Sequence, residues 1–173
     1  MLFRSEKFSK THNKYFNTEQ QRRKLINLLL DVDTGIDDAL ALFYLADAQK
    51  QGQLKILGST TVGGNVEVAQ TTLNTLKVWE MLELEIPVAS GAESPLQAPL
   101  NTAPFVHGED GLGNSFLSPP KRLPVNESAA DMILRLSHEY SGELTLLTTA
   151  PLTNIAVALL RDPDLAGRIR KLV

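Results

Sequence analysis

Cysteine is absent from all 173 residues, so the chain can form neither disulfides nor thiolate metal sites. That fits a reducing compartment, and a cytoplasmic location is expected. Long apolar runs are missing too. No stretch approaches the ~20 residues needed to span a bilayer. Met1 to Lys24 holds no uninterrupted apolar segment of the kind that marks a signal peptide, so no membrane partner is expected. Lysine and arginine are missing from one particular place, since none lies between Asp31 and Lys50. Basic residues collect ahead of that stretch instead. Residues 1–24 hold seven Lys or Arg against two Glu, about +5, leaving about −8 for the rest of a chain whose total is −3. Residues 1–23 read as a disordered basic extension with no periodic apolar face and no stacking platform, and no nucleic-acid partner is expected.

With 43% hydrophobic residues, the remaining 150 positions are enough for one core and too few for two. They are organised around Leu25 to Ala46, where an aliphatic run ends in acids, a glycine and two more apolar turns. Asp31, Asp33, Asp37 and Asp38 fall within eight positions at the junction of two elements that must both be buried. An unpaired buried carboxylate costs several kcal/mol, and crowded like charges push pKa values up or recruit a cation. With no Lys, Arg, Cys or His in the cluster, the cheapest neutraliser is a hard divalent cation held by oxygen, Ca²⁺ or Mg²⁺. Asp33 stands at the end of the expected strand, and Asp37 and Asp38 in the first turn of the following helix, where the helix dipole favours negative charge. The competing account, in which Asp37 and Asp38 only cap the helix and the others are solvated, suits one or two acids better than four.

Beyond the cluster, strands and helices alternate. Leu25–Leu30 is expected as a central parallel strand, and Ile36–Gln49 as a helix apolar nearly all round. Leu54–Thr61 follows as a strand, and Val66–Leu82 as an amphipathic helix with Leu73, Leu76 and Trp79 on one face. After a short strand at Pro87–Ala89 comes a Gly/Pro-rich segment, residues 91–124, with little regular structure. Ala129, Ile133, Leu136 and Tyr140 recur at helical spacing behind a capping pair, Ser128 and Asp131. Leu144–Thr149 is the next strand, then a helix opening at Pro151 with Leu152, Ile155, Ala156, Leu159 and Leu160 on one face, and a last apolar run at Ile169–Val173. The pattern predicts an α/β fold: an open, mostly parallel sheet with helices on both faces, and ligands gathering outside the carboxyl ends of its strands.

DVDTGIDDALAL, residues 31–42, resembles the opening signature of the inosine-uridine-preferring nucleoside hydrolases, usually written DTDPGxDDAxAL. TTVGGNV (Thr60–Val66), HGEDGLGN (His107–Asn114) and LLTTAPLTNIAVAL (Leu146–Leu159) match the same family in the same order. The resemblance implies a Rossmann-like nucleoside hydrolase fold over residues 24–173 and Ca²⁺-dependent cleavage of the N-glycosidic bond of ribonucleosides. Ca²⁺ is preferred over Mg²⁺. It further implies Asp33, Asp38 and the main-chain carbonyl of Thr149 as metal ligands, with Asp33 taking a proton from the attacking water. Asp37, Asn65 and His107 would serve as groups that hold the sugar or place the water, and the family's homo-oligomeric assembly would carry over.

Alternatives remain at individual positions. Gly63-Gly64 can be a simple turn with Asn65 capping the next helix, Thr149 a polar strand end, and Asn154 a residue that holds its loop rather than touching substrate. Glu109 and Asp110 read as solvated, and His12 and His138 as incidental. Thr34 departs from the family's proline, which loosens the turn. Family chains run to roughly twice this length, so the chain reads as an N-terminal, truncated portion of such a domain that is incomplete for activity. Two other functions compete: a haloacid-dehalogenase-like phosphatase with Asp31 as nucleophile and Asp33 as acid/base beside Mg²⁺, and a degenerate domain that binds ribose or metal without catalysis.

Overall fold

A computed structural model describes residues 25–173, and the basic extension expected at 1–23 lies outside them. Five strands, β1 (Ile26–Val32), β2 (Leu54–Thr61), β3 (Val88–Ser90), β4 (Leu144–Thr148) and β5 (Ile169–Leu172), form one sheet in the order β3-β2-β1-β4-β5. Every pairing is parallel. Strands buried on both faces need apolar side chains at successive positions, not alternate ones. β1 meets that demand with Leu28, Leu29 and Leu30, all at most 3% exposed.

Helices α1 (Ile36–Lys50) and α2 (Val68–Met81) cover one face of the sheet. Leu42, Ala46, Leu76, Val78 and Trp79 pack there on Leu28, Leu30 and Val32 of β1 and Ile56 of β2. A one-turn helix, α3 (Pro104–His107), interrupts the long segment after β3. On the opposite face, α4 (Ala129–Glu139), α5 (Thr153–Arg161) and the short α6 (Leu165–Arg168) bury Met132, Ile133, Leu136, Ile155, Ala158 and Leu165 against Leu29 and Leu146. The chain order reverses at β1, which has β2 on one side and β4 on the other. In an open parallel sheet such a reversal opens a crevice at the carboxyl ends of the two strands, here β1 and β4.

Three helix faces differ from the periodicity reading. α1 buries Asp38, Leu42, Ala46 and Ala48 only, and it leaves Ile36, Leu40, Phe43 and Tyr44 outward. In α2, Leu76, Val78 and Trp79 are buried while Leu73 is exposed. The rest of its inward face is Thr71, Thr72, Asn74 and Thr75, whose polar atoms are hydrogen-bonded rather than solvated. In α5 the sheet-facing positions are Ile155 and Ala158 together with Asn154, and Leu152, Leu159 and Leu160 are exposed. The capping pair behaves as expected. Ser128 is the N-cap of α4, and its hydroxyl accepts the Asp131 N–H at 3.2 Å.

Candidate active site

The crevice takes its shape from the turn between β1 and α1. Asp33 lies one residue past β1 and is 5% exposed; Asp38 lies in the first turn of α1 and is 2% exposed. Their carboxylates lie close enough for the charge on Asp33 to act on Asp38. Asp38 is fixed from two sides, since its Oδ2 accepts the Gly35 N–H at 3.3 Å and its Oδ1 accepts the Thr149 hydroxyl at 2.5 Å. Asp33 is fixed from the β2 end, with its Oδ2 accepting the Asn65 N–H at 2.8 Å while the Asn65 amide donates to the Asp33 carbonyl at 3.2 Å. Gly64 packs so closely on Asp33 that a Cβ there would overlap the carboxylate. The glycine thus lets the backbone approach Asp33.

Burial sets the electrostatics. Desolvation pushes the Asp38 carboxyl up to about 6, partly offset by the Thr149 hydroxyl and reinforced by the charge of Asp33. Desolvation also raises Asp33, against hydrogen bonds from Asn65 and Asp38. Among the described residues neither carboxylate pairs with a lysine or arginine. Two acids facing each other without a counter-charge form the kind of site that a cation relieves.

The other expected site residues gather round this pair. Asp37 points outward, its side chain 79% exposed, and its Oδ1 lies 3.7 Å from His107 Nδ1. His107 ends α3 and is 9% exposed, and its Nδ1 accepts the Ile36 N–H at 3.3 Å. Asn65 does not cap α2, whose N-cap is Glu67. Thr149 falls just past β4, and it reaches Asp38 through its hydroxyl. The structure therefore brings Asp33, Asp37, Asp38, Asn65, His107 and Thr149 together.

Asp31 stands behind the pocket. It is fully buried, burial raises its carboxyl to about 6, and its Oδ1 accepts from Thr60 at 2.6 Å and Asn154 at 2.8 Å. The same Asn154 amide donates to the Thr61 carbonyl at 2.8 Å, and its oxygen accepts the Ala92 N–H at 2.9 Å. Asn154 thus ties the ends of β1 and β2 to the loop after β3, the loop-holding role that was one of its readings. With no exposed surface and its Oδ1 taken by Thr60 and Asn154, Asp31 is not presented as a nucleophile, and the phosphatase alternative is not favoured. Asp110 also departs from expectation. It is no merely solvated acid, because its carboxylate accepts the N–H groups of Leu112, Asn114 and Phe116, each at 2.8 Å, and folds the loop after His107 around itself.

Sequence reasoning missed Asn74 and Thr75 and gave Thr34 the opposite effect. The Thr34 and Thr75 hydroxyls share a hydrogen bond of 2.7 Å, so Thr34 pins the acidic turn to α2 rather than loosening it. The available signal was the positions themselves: Thr71, Thr72 and Thr75 share a helical face with Leu76 and Trp79, and polar groups on a buried face need partners.

A parallel α/β sheet with an acidic, oxygen-lined pocket at the reversal of its strand order defines the general class, that of α/β proteins whose ligand site lies at the switch point. The chain belongs to a particular family within it, described as inosine-uridine preferring nucleoside hydrolase, whose model matches residues 28–173. Uridine nucleosidase 1 of Arabidopsis thaliana is 41% identical over 148 residues, covering 84% of this chain and 43% of that protein. The non-specific ribonucleoside hydrolase RihC of Salmonella enteritidis PT4 is 38% identical, covering 86% and 47%. Among solved structures, a plant nucleoside hydrolase superposes with a TM-score of 0.81 at 35% identity, over 87% of this chain and 47% of that one. A purine-preferring ribonucleoside hydrolase from Gardnerella vaginalis gives 0.80 at 32% identity, over 85% and 47%. The chain thus spans about half the length of the relatives it matches. Membership implies a ribonucleoside substrate and a metal ion for the family.

Among the described residues, no group of three or more His, Cys, Asp or Glu is arranged around a metal position. The two carboxylates and the Thr149 hydroxyl beside Asp38 are oxygen donors of the kind a hard cation takes, and they make only part of such a shell. No helix among the described residues is long and apolar enough to cross a membrane.

Proposed function

We propose that the protein hydrolyses the N-glycosidic bond of ribonucleosides with the help of Ca²⁺ held by Asp33, Asp38 and Thr149. The observation that carries this reading is the Asp33–Asp38 pair, two buried carboxylates in mutual reach with no basic partner. An all-oxygen donor set favours Ca²⁺ or Mg²⁺ over zinc. Ca²⁺ is preferred because its shell tolerates irregular carboxylate and carbonyl geometry, whereas Mg²⁺ demands a near-ideal octahedron. Bound there, the ion supplies a lowered pKa to a coordinated water and a charge for the sugar hydroxyls.

This chain's residues supply the rest. The Asp33 carboxylate accepts the proton of the attacking water, its Oδ2 held in place by the Asn65 N–H at 2.8 Å. Asp37, exposed at the rim, accepts hydrogen bonds from ribose hydroxyls. His107 lines the same rim behind it. The carboxylates stabilise the oxocarbenium-like charge that develops at the anomeric carbon. In the same reading the protein is cytoplasmic and homo-oligomeric, the latter testable by light scattering.

Base release from uridine and inosine, followed by chromatography in CaCl₂ and in EGTA, tests the reaction on the protein containing this chain. Release that stops in EGTA and is absent in Asp33→Asn is the expected result. Calcium uptake without base release would reduce the reading to a binding domain, and no uptake at all would overturn it.

A further inference from the structure

The acidic turn and the His107 loop are separate in sequence, and one buried side chain touches both. Asn74 lies in the middle of α2 with no exposed surface. Its Nδ2 donates to the Thr34 carbonyl at 3.2 Å and to the Asp110 carbonyl at 2.9 Å. Two carbonyl acceptors require the N–H side of the amide to face them, and its Oδ1 accepts from Gln70 Nε2 at 2.8 Å. Thr34 adjoins Asp33, and Asp110 organises the loop that follows His107. The other links across this gap are longer: Ile36 N–H to His107 Nδ1 at 3.3 Å and the Asp37–His107 approach at 3.7 Å.

An asparagine inside a helix normally weakens it, because its side chain competes for backbone partners. A primary amide is nevertheless the side chain suited to this position, since its two N–H groups reach two carbonyls at once, one from each segment. Leucine would offer neither carbonyl a donor, and serine has one proton for two acceptors. From this we infer that Asn74 is a positioning residue: it holds the His107 loop in register with the Asp33–Asp38 turn, so that occupancy of the acidic pocket is felt at the loop. The inference rests on the proposed cation site and adds to it a residue that touches neither cation nor substrate.

Amide chemical shifts of the full 173-residue chain, followed while CaCl₂ is added, test it. In the unaltered protein the amides of Asp37 and Asp38 should move together with those of Asp110, Gly111 and Leu112, with one midpoint. In Asn74→Ser the acidic-turn amides should still respond, while the loop response falls about fivefold, as expected when a coupling contact is cut. Trp79→Phe, which removes the Trp79–Ser59 hydrogen bond of 3.1 Å from the same helix, is the control. A role confined to stability would make the two variants behave alike, whereas a positioning role leaves the loop response of Trp79→Phe intact. If Asn74→Ser does not fold, Gly111→Ala probes the contact from the loop side, because a Cβ there would meet the Asn74 amide at 2.8 Å. Loop and turn still responding together in the Asn74→Ser or Gly111→Ala protein overturns the proposal. So does an unaltered protein whose turn responds without its loop. Silence of Asp37 and Asp38 themselves in the unaltered protein would be a different failure, that of the cation site, and would take the proposal with it.

Discussion

Helices α2 and α4 cover opposite faces of the same sheet, yet they bury opposite chemistry. α4 presents Ala129, Ala130, Met132, Ile133 and Leu136, the apolar stripe expected of an amphipathic helix, with Ser137 as its one buried polar side chain. The inward face of α2 is Thr71, Thr72, Asn74 and Thr75 before it becomes Leu76, Val78 and Trp79. The difference follows from what lies beneath each helix. α4 rests on strand interiors, where only packing is needed. The first turns of α2 lie beside the carboxyl ends of the strands, where chain leaving the sheet carries unpaired backbone groups. Thr71 gives its hydroxyl to the Val62 carbonyl, Thr72 pairs with Thr61 and Thr75 with Thr34. A helix beside a binding crevice thus gives up apolar burial to hold loops, while one away from it does not.

Substitutions should separate the two sides. The largest effect is expected at the pocket. Asp33→Asn should weaken calcium binding by about a hundredfold or more in isothermal titration, given that even outer partners of a ligand are worth roughly 10–100-fold. Undiminished affinity would remove Asp33 from the shell. On the α4 side, Ile133→Ala, at a fully buried position, should cost about 3 kcal/mol in urea unfolding while leaving calcium affinity unchanged. A matching loss of affinity would erase the distinction between the faces.

A pH effect of intermediate size belongs to Asp38. Its carboxyl is raised from 3.8 to about 6 in the fold, so the folded chain keeps a proton that the unfolded chain has released. Stability from this group is therefore complete below about pH 4 and lost as pH rises through about 6. In EGTA, the stability of the unaltered protein relative to Asp38→Asn should fall by about 1–3 kcal/mol between those limits. A flat difference would place the raised pKa elsewhere. The smallest effect is expected of Ser128→Ala, which removes the α4 cap for about 1 kcal/mol and should not touch the pocket at all.

The strands were legible because a doubly buried parallel strand favours successive aliphatics: β1 holds Leu28, Leu29 and Leu30 in a row, while β2 and β4 mix aliphatics with polar residues and were marked by their aliphatic starts. The acidic turn was legible because four carboxylates without a nearby base demand an explanation. Inward helix faces were harder to read. Leu73, Leu159 and Leu160 fit an apolar period yet face outward, while Asn74 and Asn154 break it and face in. Hydropathy scores side chains by their aversion to water and is silent about a polar group whose partners come from elsewhere in the fold. Asn154 meets Asp31 across 123 positions, and Asn74 meets Thr34 across 40. No local window contains both members of either pair.

The same separations bear on how the molecule comes to be made. The acidic turn is among the first parts of the described chain to be synthesised, but Thr149, which holds Asp38, follows it by 111 residues. Closing so large a loop is entropically slow, and contacts of this kind form after local ones. A nascent chain would expose its four aspartates to solvent until β4 docks on β1, making the pocket one of the final acts of folding. Pulse labelling during refolding should find the Thr149 amide, which donates to the Asp31 carbonyl at 3.1 Å, protected no earlier than that of Leu146.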